Sequence, residues 1–164
     1  MKENNSVSCI VRNISGNEQL MIEALDGKAY ISDAKKVFSS FISKDFTNWK
    51  LNKPGPATAK ILCDVDEVVR DGNSTQIFTG INSDLDKIVM TQAQIIRFCE
   101  KHPTWLRQEG YTTFFLTEMD GEYFVVRVRI DDGLIVLVTH LKNIRNWLGI
   151  YKLRVVYPRM PLAA

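Results

Sequence analysis

Cys99 and His102 stand three residues apart, a spacing that on a helix puts a thiol and an imidazole on one face. Such a pair is the raw material of nucleophilic catalysis, because the imidazole can take the proton whose loss makes the thiolate. The same face also carries Ile95 and Phe98. That company reads as a core-facing stripe, so the expected thiol is buried and inert. Two ligands do not make a zinc site, and His140, the other histidine, lies far along the chain. The patterns Gly-x-Ser-x-Gly and His-Glu-x-x-His, a phosphate loop and a dinucleotide fingerprint are all missing. No residue set calls for a cofactor. Trp49, Trp105 and Trp147 each flank a loop or helix end and read first as lids on a core, second as interface anchors.

The run Ile61-Leu62-Cys63-Asp64-Val65-Asp66 is an apolar strand ending in Asp-x-Asp. It resembles the nucleophile strand of haloacid-dehalogenase-type phosphatases. The resemblance implies Asp64 as the group that attacks phosphorus, Asp66 as the acid/base and a magnesium ion between them. It also asks for a Thr or Ser ending the next strand, which Thr79 offers, and for a late acidic pair, which Asp131 and Asp132 offer. The spacing opposes it. A parallel βαβ unit needs a crossover of a dozen or more residues, usually a helix, and no such helix fits between Asp64 and Thr79. The turn Asp71-Gly72-Asn73 makes a hairpin instead. Asp64 and Asp66 are thus expected on one solvated face, with no metal. A glycosyltransferase reading of the same pair lacks the nucleotide-sugar-binding sheet it would need.

The remaining candidate is a surface. If the outer face of a C-terminal sheet is open, Phe115, Tyr123, Arg127, Arg129, Lys152 and Arg154 lie on it together. Aromatic rings for stacking beside cations for phosphates are how sheet surfaces hold single-stranded nucleic acid. The plainer reading is a solvated face, or one covered by the N-terminal half. No RNP-type sequence is present.

These residues must be positioned by an α+β fold. Residues 7–14 and 19–25 read as strands around the turn Ser15-Gly16-Asn17-Glu18, with a short helix over Glu18 to Leu25 an equal alternative. Ala34, Val37, Phe38, Phe41 and Ile42 have amphipathic helical spacing, which predicts a helix over 33–44. Residues 45–59 are irregular around Lys53-Pro54-Gly55-Pro56. Residues 60–69 and 75–81 read as the hairpin. Thr91 with Gln94 opens a second helix, near 92–107. Tyr111–Glu118, Tyr123–Ile130, Leu134–Leu141 and Ile150–Tyr157 then read as a four-stranded antiparallel meander packed by the two helices.

The 164-residue length suits a single domain over 1–164, frayed at 1–6 and 159–164. The net charge of +2 hides an asymmetry: residues 121–164 hold 7 Lys/Arg against 3 Asp/Glu, and no acid follows Asp132. Such a block marks a polyanion-binding face or an ordinary solvated end. Three widely spaced cysteines in apolar runs, without an apolar N-terminal leader, predict free thiols and a cytoplasmic protein. No apolar run is long enough for a membrane span. The stretch from Thr91 to Arg129, with Phe98-Cys99-Glu100-Lys101-His102-Pro103 and Gly110-Tyr111-Thr112-Thr113-Phe114-Phe115, resembles a group of small uncharacterised bacterial proteins, and the likeness reaches back to Asn48. It implies only a bacterial, cytosolic source. The expectation is a non-catalytic binding or protein-interaction module. A nucleic-acid-binding domain is the alternative, and a metal-dependent phosphatase comes third. The partner is then a protein or single-stranded nucleic acid, with no membrane.

Overall fold

The computed structural model describes residues 9–160. The strands in chain order are β1 (Val11–Asn13), β2 (Leu20–Ile22), β3 (Phe41–Ile42), β4 (Ile61–Val68), β5 (Gly72–Asn73), β6 (Thr113–Met119), β7 (Glu122–Ile130), β8 (Leu134–His140), β9 (Asn146–Trp147) and β10 (Arg154–Pro158). The helices are α1 (Asp45–Asn48), α2 (Ser74–Ile81) and α3 (Gln92–Lys101). Eight strands form one sheet in the order β1-β4-β10-β6-β7-β8-β3, with β2 also on β4, while β5 and β9 form a separate pair. The fold is α+β, and its sheet is mixed.

Hydrogen bonding and burial explain where the sequence reading holds and where it fails. The hairpins β6–β7 and β7–β8 are antiparallel as expected. The fourth strand does not continue the meander. It crosses back and inserts as β10 between β4 and β6, antiparallel to the first and parallel to the second. Val155 and Val156 are both fully buried although they point to opposite faces. A strand buried on both sides belongs in the middle of a sheet.

The expected helix over 33–44 is not formed. A 3₁₀ turn at Ile31–Asp33 leads instead into β3, which pairs in parallel with β8. Ser40 and Ser43 donate their backbone N–H groups to Leu134 and Val136, so the open edge of β8 satisfies this segment better than a helix of serines and lysines would. Residues 74–81 are helix α2, not a strand. Its start is a capping box in which the Asn73 side chain accepts from Gln76 N–H and the Gln76 side chain accepts from Asn73 N–H. That signal was present behind the β-branched residues. Helix α3 has the expected Thr91–Gln94 box and ends before Pro103.

Both faces of the sheet are covered. One carries Phe115, Val126, Val136 and Val156 under α3, Phe38 and Phe46. The other carries Phe114, Leu116, Val125, Val155 and Tyr157 under α2 and the connection 141–153, through Ile77, Phe78, Trp147 and Leu153. Of the termini expected to fray, only Arg159 and Met160 fall among the described residues, and Arg159 is anchored: its Nε donates to Asp64 at 3.0 Å. No helix among the described residues is long and apolar enough to cross a membrane.

Candidate functional site

On β7 the alternation of side chains sends Tyr123, Val125, Arg127 and Arg129 to the α2 side of the sheet. At the Arg127–Arg129 end the covering layer is incomplete. A cleft of about 580 Å³ opens there, lined by Tyr111, Arg127, Arg129, Arg145, Trp147 and Tyr151 among others. Its far wall is the connection 141–153. That connection is fixed by pairing of β9 with β5, by Trp147 Nε1 donating to Ser74 Oγ at 3.3 Å and by Gly149 N–H donating to Asp71 at 2.9 Å.

The electrostatics of the cleft are one-sided. No Asp or Glu among the described residues lines it. Among the described residues, Arg127, Arg129 and Arg145 make no ion pair with any carboxylate. Arg127 Nε is buried with no hydrogen-bond partner. Burial, with Arg145 and Arg129 close by, pushes the Arg127 pKa down to about 10. It still carries its charge at neutral pH. The two guanidiniums of Arg127 and Arg145 sit 5.6 and 4.0 Å from the Trp147 ring centroid, in cation–π contact with it. On the opposite side of the mouth Tyr111 and Tyr151 stack on each other, centroids 5.1 Å apart and planes at 23°. Both rings are partly open to solvent. Leu137 and Leu153 add apolar lining.

The six side chains read from the sequence as one surface are thus dispersed. Arg127 and Arg129 do converge in the cleft. Tyr123 shares their face but sits farther along β7, where its hydroxyl donates to Asp86. Phe115 is fully buried in the core on the other face. Arg154 also lies on that other face, because its neighbour Val155 packs with Phe114 under α2, and it donates to the Trp105 carbonyl at 3.0 Å. Lys152 is exposed in a left-handed turn position at the end of the connection. Sequence reasoning missed Tyr111, Arg145 and Tyr151, and read Trp147 only as a core lid or interface anchor. The available signal was the acid-free run after Asp132, in which Arg145, Trp147, Tyr151 and Lys152 fall close together.

The other candidates are self-satisfied. Asp64 and Asp66 share a face of β4 as expected, but Asp66 is only 5 % exposed rather than solvated. Asp66 Oδ1 accepts from Tyr157 at 2.8 Å and from Asn13 at 3.2 Å, while Asp64 accepts from Ser15 and Arg159. No group of three or more His, Cys, Asp or Glu side chains among the described residues could hold a metal ion. Cys99 is buried, and that burial drives its thiol pKa upward, away from the thiolate. His102 spends Nε2 on the Met21 carbonyl, 3.0 Å away.

No protein-family model, curated protein or solved structure matches the chain. The functional reading therefore rests on the cleft itself.

Proposed function

We propose that this protein is a non-catalytic binding module whose ligand is an anion held by Arg127, Arg129 and Arg145. The observation that carries this reading is the buried Arg127 Nε without a partner, in a cleft that among the described residues has three guanidiniums and no acid. Leaving a buried polar group unpaired costs about 1–3 kcal/mol, and more for a charged one. A bound oxyanion removes that cost with charge-assisted hydrogen bonds. Among the described residues the lining contains no His, Cys, Asp or Glu that would act as base or nucleophile, which supports binding over catalysis.

The test is thermal unfolding with inorganic pyrophosphate. Wild-type protein is expected to melt higher as pyrophosphate rises into the millimolar range, by the linkage between binding and stability. The double variant Arg127→Gln/Arg129→Gln should show no such rise. Equal shifts in both proteins would locate the anion elsewhere. No shift in the wild type would end the reading.

A second reading, a protein partner, is favoured by Ile144 and Ile150, which are 88 % and 76 % exposed on the connection that walls the cleft. Replacing both with Ser should leave pyrophosphate binding intact and reduce any concentration-dependent self-association seen in sedimentation. Loss of pyrophosphate binding in that variant would instead make these residues part of the anion site.

A further inference from the structure

The cleft has a second component that an anion alone leaves unused. Tyr111 and Tyr151 form a stacked pair at its mouth, and Trp147, already flanked by two guanidiniums, takes no part in that pair. Both tyrosines remain partly exposed, at 36 % and 40 %. Arg107, whose guanidinium lies 4.9 Å from the Tyr111 centroid, donates to the carbonyls of Tyr151 and Lys152. The pair is therefore held in place before any ligand arrives. A preformed aromatic platform with free ring area suits a flat ring, because stacking needs no particular hydrogen-bond pattern.

The charge narrows the choice further. A phosphodiester carries one negative charge, whereas a phosphomonoester carries about −1.5 to −2 at neutral pH. Three guanidiniums lining one cleft, with no carboxylate among its described lining residues, match a terminal mono- or diphosphate better than one linkage of a polymer. Size points the same way. The cleft, about 580 Å³, falls within the roughly 300–1,000 Å³ of small-ligand sites. Because α2 and the connection 141–153 cover the rest of this face, the structure offers a cleft and not the open platform along which a strand of nucleic acid could run.

We propose that the cleft binds a nucleotide with a terminal di- or monophosphate, the phosphates on Arg127, Arg129 and Arg145 and the base on the Tyr111–Tyr151 pair. This inference rests on the anion reading above and adds a base subsite to it.

Calorimetric titration of the full chain with ADP, inorganic pyrophosphate, adenosine and an oligoadenylate without terminal phosphates separates the two claims. ADP is expected to bind about tenfold or more tighter than pyrophosphate, the gain that one stacked base provides. Tyr151→Ala should remove that advantage and leave pyrophosphate affinity unchanged. Tyr111→Leu serves as an independent variant of the same platform, with circular dichroism confirming that each protein is folded. Arg127→Gln should weaken ADP and pyrophosphate alike. Equal affinity for ADP and pyrophosphate would overturn the base subsite while leaving the anion site standing. Failure of both to bind would remove both claims. An oligoadenylate that binds tighter than ADP would overturn the nucleotide assignment in favour of a polymer.

Discussion

The guanidinium of Arg127 lies 5.6 Å from the centre of the Trp147 ring, and no carboxylate among the described residues pairs with it. An arginine retained for stability would have such a partner, since an unpaired buried charge works against folding. Arg127→Met keeps the apolar stem and deletes the cation. The expected outcome is a fold stabilised by about 1 kcal/mol, after allowing for the lost cation–π contact, together with loss of pyrophosphate binding. Urea unfolding and calorimetry measure the two effects. A loss of several kcal/mol in the variant would show instead that Arg127 holds the fold together.

The wall of the cleft depends on one close approach. A Cβ on Gly149 would stand 2.7 Å from the backbone N and Cα of Arg70, so the connection and the segment just after β4 would have to separate. Gly149→Ala is expected to cost about 1–3 kcal/mol, as overpacking does. It should also weaken pyrophosphate binding, because Arg145 and Trp147 ride on the same connection. Normal affinity in a destabilised variant would mean that the wall adjusts locally and does not set the site.

How much of this was legible in the sequence follows from which forces are local. The α3 capping box and the turns at Met119-Asp120-Gly121 and Asp131-Asp132-Gly133 are local, and they mark the start of α3 and the hairpins β6–β7 and β7–β8, although α3 stops at Lys101 and not near 107; Asp120 and Asp132 adopt positive φ, as do Gly121 and Gly133. The place of β10 was not legible, because inserting between β4 and β6 depends on strands that are distant in sequence. That displacement put Arg154 on the opposite face and drew the connection 141–153 across the sheet, bringing Arg145 and Tyr151 to Arg127, while the β6–β7 register, which sets Phe115 opposite Val126, took Phe115 to the other face. Period-two alternation did place Arg127 and Arg129 side by side, since it requires only one strand.

Phe38 shows a correct burial reached through the wrong element. It is 2 % exposed in the core although no helix forms around it, while Phe41, on the same expected stripe, is half exposed on β3. Burial, not helicity, sets the energetic consequence. Phe38→Ala should therefore cost about 3–5 kcal/mol, and Phe41→Ala far less. Paired denaturant curves test this. Similar losses for both would mean that the edge strand is packed more tightly than its exposure indicates.

The carboxyl of Asp66 provides a test of the other end of the sheet. Burial raises its pKa, Tyr157 and Asn13 oppose the rise through hydrogen bonds, and the charge of Asp64 adds to it. A raised carboxylate pKa means that the folded protein takes up a proton at a pH where the unfolded chain has already lost it. Above the raised value the charge opposes folding in full. As pH falls through the window between that value and the ordinary 3.8, the folded state binds the proton first and the penalty is relieved. Asp66→Asn is neutral throughout and keeps an oxygen to accept from Tyr157 and Asn13. The Asp64–Arg159 pair is present in both proteins and largely cancels in the comparison. Relative to the Asn variant, the wild type should thus gain stability on acidification from neutral pH, with the change ending once both states are protonated. Urea unfolding of both proteins across that range measures the difference. If the wild type instead loses ground to the variant as pH falls, the Asp66 carboxylate is stabilised where it sits and its burial is fully compensated by Tyr157 and Asn13.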